Sequence, residues 1–283
     1  MFKSKKIFYF IFSLLIFILL ITTNNFFSKR NYIKNLKVHY IDVGQGDATL
    51  IEYLDKKILI DCGPNSNESN LLKYLSGLNI NKIDYIFITH PHEDHIGNLD
   101  KIIANYKVTS IFMPKVNFES EDLSKSLSLI KNKNITLYNL NKDFKIKFDE
   151  NFYLEIFSSS KKNYENINNF SPLIKVIFKK DSFLFTGDNE ELGELEFINK
   201  DINVDILKVG HHGSNTSSTN IFLEKVSPKI SIISCGKNNS FNHPNPKVLE
   251  RLNKLNNKIY RTDEDGTIII NSYGKSIIEI EKK

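Results

Sequence analysis

Cysteine, glycine and proline are all scarce in this chain of 283 residues. The two cysteines, Cys62 and Cys235, are too few for a disulfide scaffold, and no CxxC pair indicates a zinc ribbon or a thioredoxin-type site. We expect both to be small buried hydrophobic side chains, with a disulfide as the alternative. Twelve glycines and seven prolines do not suit a collagen-like or linker-rich architecture. With 41% hydrophobic residues, the chain can bury the core of one large or two small domains.

Acidic side chains are absent from the first 34 residues, which contain six basic ones: Lys3, Lys5, Lys6, Lys29, Arg30 and Lys34. The formal net charge of +5 comes from this terminus, because the rest of the chain has 32 basic against 33 acidic residues. A protein that coats nucleic acid usually has a basic body. The near-neutral body therefore argues against that class, although a local basic groove is compatible with it.

One uncharged apolar run, Ile7 to Thr23, lies near the amino terminus, and no second run of this kind follows. As a helix its 17 residues would span about 25 Å, slightly less than the ~30 Å hydrocarbon core. Because three lysines precede it, the positive-inside rule predicts a cytoplasmic terminus and an extracytoplasmic body. We predict that residues 1–34 anchor the chain as a single-pass protein of the cell membrane. A cleaved signal peptide is the alternative, but the A-x-A-like cleavage site is missing.

Beyond residue 35, β-rich runs alternate with helical patterns. Ala48–Tyr53 and Ile83–Thr89 have the composition of strands, and Glu121–Lys131 has the spacing of an amphipathic helix. Strands are mixed with helices in both halves of the chain. The pattern predicts an α/β protein in which two sheets pack face to face with helices outside, as one domain over residues 35–283.

The segment THPHEDH, from Thr89 to His95, concentrates possible metal ligands directly after a hydrophobic strand. Imidazole and carboxylate groups suit Zn²⁺, Mn²⁺ or iron. His90 and His92 alternate along a loop and can face one ion, while Asp94 and His95 turn toward a second. An exposed polar turn is the alternative, but it does not explain so many ligands in so short a segment.

Further candidate ligands follow two later strands. Asp188 ends the segment LFTGD and is placed to bridge two ions. His211 and His212 follow ILKVG, so we expect at least one of them to be a ligand. A pair of surface-loop histidines is the alternative interpretation.

Taken together, HxHxDH, a later Gly-Asp and a strand-end histidine resemble the metallo-β-lactamase-fold hydrolases. More narrowly, DVGQGDA at 42–48, KVGHHGS at 208–214 and FNHP at 241–244 are similar to the ComEC-type competence-protein hydrolase domain and its standalone relatives. The resemblance extends over about residues 36–280. It implies a four-layer αβ/βα sandwich that holds two divalent metal ions, Zn²⁺ or Mn²⁺, at one edge.

The resemblance also implies the ligands: His90 and His92 for the first ion, Asp94, His95 and His211 for the second, and Asp188 as the bridge. His212 is the alternative to His211, or a neighbour in the substrate pocket. Unlike β-lactamases and glyoxalases, the chain has no histidine between His95 and His211. Asn169 or Ser171 is expected near that place, as in ComEC-like proteins. The first ion should then be held less tightly, and β-lactam hydrolysis is not expected.

Asp94 would both ligate an ion and orient the nucleophile. Other polar side chains near these motifs have two interpretations each. His243 either donates to the oxyanion or the leaving group, or caps the helix region near Pro246. Ser214 either lines the pocket or shapes a turn. The residues expected to hydrogen-bond the ligands, or else to form tight turns, are Asp42, Gln45, Asp47 and Asp61.

These observations predict a membrane-anchored, extracytoplasmic, metal-dependent hydrolase. Two divalent ions a few ångströms apart supply hydroxide at neutral pH and stabilise charge on a phosphoryl oxygen, which favours a phosphodiesterase or nuclease. The substrate is DNA or a cell-envelope phosphodiester, and a role in DNA uptake would need a separate translocation machinery. The alternatives are a non-catalytic metal-binding assembly subunit and a hydrolase of another ester such as a lactone.

Overall fold

The structure, a computed structural model, describes residues 16, 35–65, 68–159, 161, 163–276 and 278–283. The chain divides into two units, residues 1–34 and 35–283. The predicted membrane segment, Ile7 to Thr23, lies outside the described residues except for Ile16. Among the residues described, no helix combines the length and the apolar character needed to cross a membrane. The anchor stays a prediction.

Two β-sheets form the framework of residues 35–283. The strands are, in chain order, β1 (Leu36–Tyr40), β2 (Thr49–Tyr53), β3 (Lys56–Ile60), β4 (Lys82–Phe87), β5 (Lys107–Met113), β6 (Thr136–Asn139), β7 (Phe144–Lys147), β8 (Phe152–Phe157), β9 (Leu173–Phe178), β10 (Asp181–Phe185), β11 (Ile206–Lys208), β12 (Ile230–Ile233), β13 (Lys258–Arg261), β14 (Ile268–Ser272) and β15 (Ile278–Lys282). Within the described residues, the first sheet has the order β15-β14-β1-β2-β3-β4-β5-β6. The second has the order β13-β12-β11-β10-β9-β8-β7.

Each sheet contains a run of parallel strands. Strands β3 to β6 are parallel in the first sheet, and β10 to β13 are parallel in the second. The carboxyl ends of parallel strands meet at one edge of a sheet, where ligands commonly bind. Loops that leave β3, β4, β10 and β11 are therefore the ones that can converge on a site.

The main core lies between the two sheets. Side chains alternate along a strand, so Ile58 and Ile60 of β3 face the opposite sheet while Leu59 faces away from it. Large rings fill the space between the sheets, among them the stacked pair Phe87 and Phe112, whose centroids are 4.6 Å apart. Cys62 and Cys235 are buried free thiols, which confirms the prediction that they act as small hydrophobic side chains.

Helices cover the outer faces of both sheets. In chain order the helices are α1 (Glu68–Gly77), α2 (Glu93–Ile96), α3 (Leu99–Asn105), α4 (Glu121–Asn132), α5 (Glu191–Phe197), α6 (Asn220–Val226), α7 (Pro246–Lys254) and α8 (Thr262–Asp265). Helices α1 to α4 contribute to a cluster with the outer face of the first sheet, and α5 to α7 to a cluster with that of the second. The predicted α/β architecture of two sheets with helices outside is confirmed.

The structure differs from the sequence expectation in two short elements. Strand β6 was not predicted; all four of its residues are exposed, and it forms by pairing with β5 at the sheet edge. Helix α2 takes in part of the THPHEDH segment that the sequence placed on a loop, so His90 and His92 precede a helix whose first turn contains Asp94. Both differences lie beside the candidate site.

Candidate metal centre

The predicted metal ligands converge where strands of both sheets end. His90 lies three residues after β4, Asp188 three residues after β10, and His212 four residues after β11. Asp61 directly follows β3, the parallel neighbour of β4. Four segments that are distant in sequence thus deliver imidazole and carboxylate groups to one place.

His90 and His92 form a pair on one side of the centre. His90 is fully buried, and its Nε2 lies 2.9 Å from Nδ1 of His92. The same Nε2 is 3.9 Å from Oδ2 of Asp188. Two ring nitrogens that point toward each other, with a carboxylate beside them, form a suitable donor set for one divalent ion.

A second donor set consists of Asp94, His95, Asp188 and His212, whose ligand atoms all lie within 4.8 Å of one another. Nε2 of His95 is 3.3 Å from Oδ1 of Asp188, and Nε2 of His212 is 3.1 Å from Oδ2 of Asp94. Although they are 3.3 Å apart, Nε2 of His95 and Oδ1 of Asp188 form no hydrogen bond with each other or with another of the described residues, and both atoms are buried. Unpaired buried polar atoms are rare in proteins, so these atoms fit a metal ion as their partner.

Asp188 contacts both sets. Besides the His90 and His95 contacts, its Oδ2 is 3.5 Å from Nε2 of His212 and 3.6 Å from Nε2 of His211. A buried carboxylate with histidines on two sides is placed to join two ions. This is the position that the sequence predicted for Asp188.

Hydrogen bonds to the protein fix the orientation of two imidazoles. Nδ1 of His95 donates to Oδ2 of Asp61 over 2.9 Å, and Nδ1 of His212 donates to the carbonyl oxygen of Ser234, also over 2.9 Å. Each bond leaves Nε2 directed at the centre. Asp61 is itself held by the backbone N–H and the hydroxyl of Thr89, both at 2.8 Å. Such partners set the tautomer and basicity of metal-ligating histidines.

Burial and neighbouring charges shift the pKa values of the centre in different directions. Burial lowers the pKa of His90 well below its ordinary value, which leaves a neutral imidazole able to ligate. Burial also opposes charge on His95, but Asp188 and Asp94 outweigh it and hold the pKa of His95 well above its ordinary value. Burial opposes charge on Asp188 too, yet His212 and His95 keep its pKa well below the usual range. A divalent cation would replace the protons that His95 and His212, whose pKa values are both raised, otherwise carry.

The loop that contains the DVGQGDA segment contacts the backbone of Asp94. The backbone N–H of Asp47 donates to the carbonyl oxygen of Asp94 over 3.1 Å. Gly46 has a φ of 144°, and a Cβ there would lie 2.5 Å from that same oxygen. Only glycine permits this close approach.

A buried ion pair links this loop to the other sheet. Nζ of Lys208, on β11, donates to Oδ2 of Asp47. Burial raises the pKa of Asp47, but Lys208 and His212 together lower it to about 2. Lys208 was not among the predicted site residues. A lysine inside the apolar run ILKV was the signal that could have identified it.

The two adjacent histidines have different positions. His212 is buried and belongs to the second donor set, whereas His211 is partly exposed and its Nδ1 lies 3.2 Å from Oε1 of Glu190. Both residues have positive φ, 46° and 52°, so the chain turns sharply and separates their rings. The geometry favours His212, the alternative, over His211 as the histidine of the second donor set. The assignment of the ligand itself stays a prediction.

Some predicted site residues shape loops. Oδ1 of Asp42 accepts a hydrogen bond from the backbone N–H of Gly44 over 3.0 Å, and Oε1 of Gln45 accepts one from Gly236 over 3.1 Å. The Ser214 hydroxyl lies 3.0 Å from that of Thr216. The local contacts of Asp42 and Ser214 favour the turn interpretation for these two residues, whereas Gln45 joins its loop to the loop that follows β12.

Asn169 holds the loop that follows Asp188. Its Oδ1 accepts hydrogen bonds from the backbone N–H groups of Glu190 and Gly193, both at 3.1 Å. The nearby Ser171 hydroxyl is 3.4 Å from Nδ1 of His90 and accepts a hydrogen bond from the backbone N–H of Asp188 over 3.3 Å. Of the two residues expected near the first ion, Ser171 is the one that contacts a ligand histidine.

His243 borders the centre from a loop after β12. Its ring centroid is 5.6 Å from that of His211 and 6.4 Å from that of His212. Burial lowers its pKa to about 4, assisted by His212 and His211. The imidazole is therefore neutral at pH 7, with one N–H that can donate a hydrogen bond.

Comparison with known families agrees with this geometry. Residues 41–237 match the model of the metallo-beta-lactamase superfamily. The chain belongs to this superfamily. One relative is ComE operon protein 3 of Bacillus subtilis (strain 168), a ComEC-type competence protein that is 29% identical over 252 residues. That match covers 82% of this chain and 32% of the relative, so the chain spans about a third of the length of that protein.

Two further similarities concern a short segment and the fold. Ribonuclease Z of Clostridium beijerinckii is 42% identical over 57 residues, which is 20% of this chain and 18% of that protein. The crystal structure of the metallo-beta-lactamase fold protein YhfI from Bacillus subtilis superposes with a TM-score of 0.60 at 12% identity. It covers 84% of this chain and 100% of that chain, which shows that the two share a fold.

Proposed function

We propose that this chain is a metal-dependent phosphodiesterase, anchored in the cell membrane by residues 7–23, with its hydrolase domain outside the cytoplasm. The observation that carries the proposal is the second donor set, in which Nε2 of His95 and Oδ1 of Asp188 are buried without a hydrogen-bond partner among the described residues. Superfamily members generally are metal-dependent hydrolases, and this donor set fits that chemistry.

Each residue of the centre has a role in the proposal. His90 and His92 would hold one ion, Asp94, His95 and His212 would hold the other, and Asp188 would contribute to both. Divalent ions at such a site supply a nucleophile at neutral pH and neutralise developing charge on a phosphoryl oxygen. The remaining steps belong to side chains: Asp94 orients the attacking water, and His243 donates its N–H to a phosphoryl or leaving-group oxygen.

Two features support a phosphodiester as the substrate. The absence of a histidine between His95 and His211 distinguishes the first donor set from that expected for β-lactam hydrolysis. The name of ribonuclease Z, which matches a short segment of this chain, says that it acts on RNA. For this chain we propose DNA as the substrate, delivered by a separate translocation machinery, in keeping with the relationship to a competence protein.

The test is hydrolysis by the full chain, loaded with Mn²⁺ or Zn²⁺, of single-stranded DNA and of bis(p-nitrophenyl) phosphate. Asp94→Asn should lower both rates by more than about 100-fold, because it removes a ligand and the group that orients water. The matched control is Asp55→Asn, at an exposed aspartate in the turn after β2, which should retain activity. Cleavage of neither substrate by a chain that binds two metal equivalents would contradict the proposal and favour a non-catalytic subunit.

The anchor is tested separately by cell fractionation. The full chain should sediment with membranes and resist extraction by high salt, because a hydrophobic helix is held by the hydrocarbon core. A version that lacks residues 1–34 should lose this behaviour. Recovery of both versions in the soluble fraction would contradict the anchor but would leave the hydrolase proposal intact.

A further inference from the structure

A cavity of about 380 Å³ lies on the outer face of the first sheet, between α4 and the carboxyl ends of β5 and β6. Leu137 of β6 pairs in register with Ile111 of β5, which belongs to the outer cluster, so the Leu137 side chain is on this face. The apolar side chains that line the cavity include Met113, Val116, Phe118, Leu123, Leu127 and Leu137. Its volume falls within the range of cavities that bind small organic groups.

The cavity adjoins the first donor set. Pro91 stands between His90 and His92 in sequence and lines the cavity. The ring of Phe118, another lining residue, meets that of His92 edge to face, with 5.7 Å between centroids. A phosphodiester at the metal centre has two substituents, one of which leaves during hydrolysis. The other substituent can therefore extend past His92 into the cavity.

Few polar atoms line this cavity. Among its described lining residues, only Lys115, Tyr138 and Asn139 have polar atoms in their side chains. Oδ1 of Asn139 already accepts a hydrogen bond from the backbone N–H of Lys115 over 3.0 Å, and the Tyr138 ring packs on Phe112, on the face between the sheets. A buried base or sugar needs hydrogen-bonding partners, because burying an unpaired polar group costs free energy. The walls instead match a hydrocarbon chain.

The apolar walls are also exposed, and a cation lies beside them. Leu137 is 41% exposed and Leu127 is 39% exposed, and exposed groups of large apolar side chains are typical of binding surfaces. Lys115 is exposed and lines the same cavity, so its ammonium group is available to an anion. Apolar walls with one cation suit an amphiphile that has a phosphate group at one end and an alkyl chain at the other.

We propose that this cavity binds the alkyl chain of a phosphodiester substrate of the kind found in membrane lipids. The inference rests on the proposed function and adds a second substrate class beside DNA. In the reaction, the oxygen of water forms a bond to phosphorus, the bond from phosphorus to the leaving-group oxygen breaks, and that oxygen takes up a proton. The ester bond to the alkyl chain in the cavity stays intact.

The first test measures binding without hydrolysis, by calorimetric titration of the Mn²⁺-loaded full chain. The probes are hexyl phosphate and methyl phosphate, which differ by five methylene groups. Each buried methylene raises affinity roughly fourfold, so burial of two or more should make hexyl phosphate bind more than about tenfold more tightly. Leu127→Ala and Leu137→Ala should each lower this preference several-fold, because each removes part of the apolar wall.

The second test compares the turnover of hexyl and methyl p-nitrophenyl phosphate, which release the same p-nitrophenolate. The value of kcat/KM should favour the hexyl ester, and both leucine substitutions should reduce that advantage. Leu192→Ala is the matched control in both tests, since Leu192 is an exposed leucine of α5, far from the cavity in sequence and on the helices of the second sheet. It should keep the full preference for the hexyl compounds. Either cavity variant serves alone if the other fails to fold.

Three results would overturn the inference. The first is equal binding of hexyl and methyl phosphate by the unmodified chain, or a preference that survives both leucine substitutions. The second is tighter binding of thymidine 5′-monophosphate than of hexyl phosphate, weakened by the same substitutions, since the occupant would then be a base. The third is a dimer that both substitutions convert to monomers, since a second copy of the chain would then fill the cavity.

The outcomes also separate this inference from the proposed function. A chain that cleaves DNA but shows no preference for the hexyl compounds would contradict the alkyl subsite and leave the proposed function intact. A chain that prefers hexyl phosphate through Leu127 and Leu137, yet hydrolyses no phosphodiester, would support the subsite and contradict the proposed activity.

Discussion

At the scale of single residues, the centre depends on which nitrogen of each imidazole bonds to the protein. Nδ1 of His95 donates to Asp61, and Nδ1 of His212 donates to the Ser234 carbonyl oxygen. Both Nε2 atoms are then available to an ion. Asp61 was one of four polar residues for which the sequence left a supporting role and a tight turn equally open. The structure favours the supporting role, because both carboxylate oxygens are used beside the centre.

Replacing Asp61 with asparagine should weaken metal binding. The change keeps the size of the side chain but removes the charge that orients His95, and asparagine tolerates the positive φ of 58° at this position. We expect the metal dissociation constant to rise about 10- to 100-fold, measured by chelator competition. Asp181→Asn is the control, since Asp181 is equally buried but accepts its hydrogen bonds from Ser272, Gly274 and Ser276. Equal losses of affinity in both variants would argue against the orienting role.

The two adjacent histidines should differ in their effect on metal content. His212→Ala removes a ligand from the second donor set, so we expect it to lower bound metal toward one equivalent per chain. His211→Ala, which changes the partly exposed neighbour, should keep more metal under the same dialysis conditions. Elemental analysis after dialysis measures both. The reverse order would restore the original assignment of His211.

At the scale of elements, strand ends and the pairing of strands decide what reaches the centre. Strand β4 ends at Phe87, two residues before the predicted end, because the backbone N–H of Thr89 donates to the Asp61 side chain instead of continuing a ladder. Strand β6 has no burial pattern of its own and forms only through β5. A sequence pattern records neither of these pairings, since both involve partners far along the chain.

A cross-strand group on the first sheet predicts a pH-dependent contribution to stability. Glu52 of β2 contacts Nε2 of His39 on β1 and Nζ of Lys57 on β3, both at 2.9 Å. The hydrogen bond from His39, and then Lys57, lower the pKa of Glu52 from 4.5 to about 2. The folded state therefore favours the ionised carboxylate. This contribution is fully present above pH 4.5 and is lost as the pH falls through about 2.

Glu52→Gln should lower the free energy of unfolding by about 2 kcal/mol at pH 7, and the difference should shrink as the pH falls below about 4.5. Urea titrations of both proteins at several pH values measure this. Glu155→Gln, which removes an exposed ion pair with Lys145 on the other sheet, should change stability by less than about 1 kcal/mol. A Glu52→Gln difference that stays constant from pH 7 to pH 3 would contradict the linkage.

At the scale of the whole molecule, one buried ion pair joins the two sheets behind the centre. Lys208 lies on β11 of the second sheet, and Asp47 lies in the loop between β1 and β2 of the first, 161 residues away. Both side chains are nearly fully buried. The pair therefore helps to fix how the second donor set, which draws on both sheets, comes together.

Breaking this ion pair should lower the free energy of unfolding. Lys208→Met leaves Asp47 as a buried carboxylate without its cation, which costs about 3–5 kcal/mol of unfolding free energy. Adding Asp47→Asn should recover part of the loss, because the uncompensated charge is then gone. Lys200→Met, at an exposed pair with Asp143, should cost less than about 1 kcal/mol. Similar urea midpoints for Lys208→Met and Lys200→Met would refute the structural role of the buried pair.

The sequence by itself determined the type of fold, the superfamily and most of the candidate metal ligands. These features are local: periodicity marks the strands and helices, and THPHEDH, LFTGD and KVGHHGS each lie within a few residues at a strand end. Ligand chemistry follows directly from such segments, because the residue types at a strand end limit which groups can meet there.

Only the tertiary structure decided how these segments combine. The structure places His212 rather than His211 in the second donor set because the chain turns through two residues of positive φ. The carbonyl oxygen of Ser234 then accepts a hydrogen bond from the His212 ring. The bond between Asp61 and His95 and the ion pair of Asp47 with Lys208 both join parts of the chain that are distant in sequence. Such contacts depend on sheet pairing and on the packing of one sheet against the other, which no local pattern of residues records.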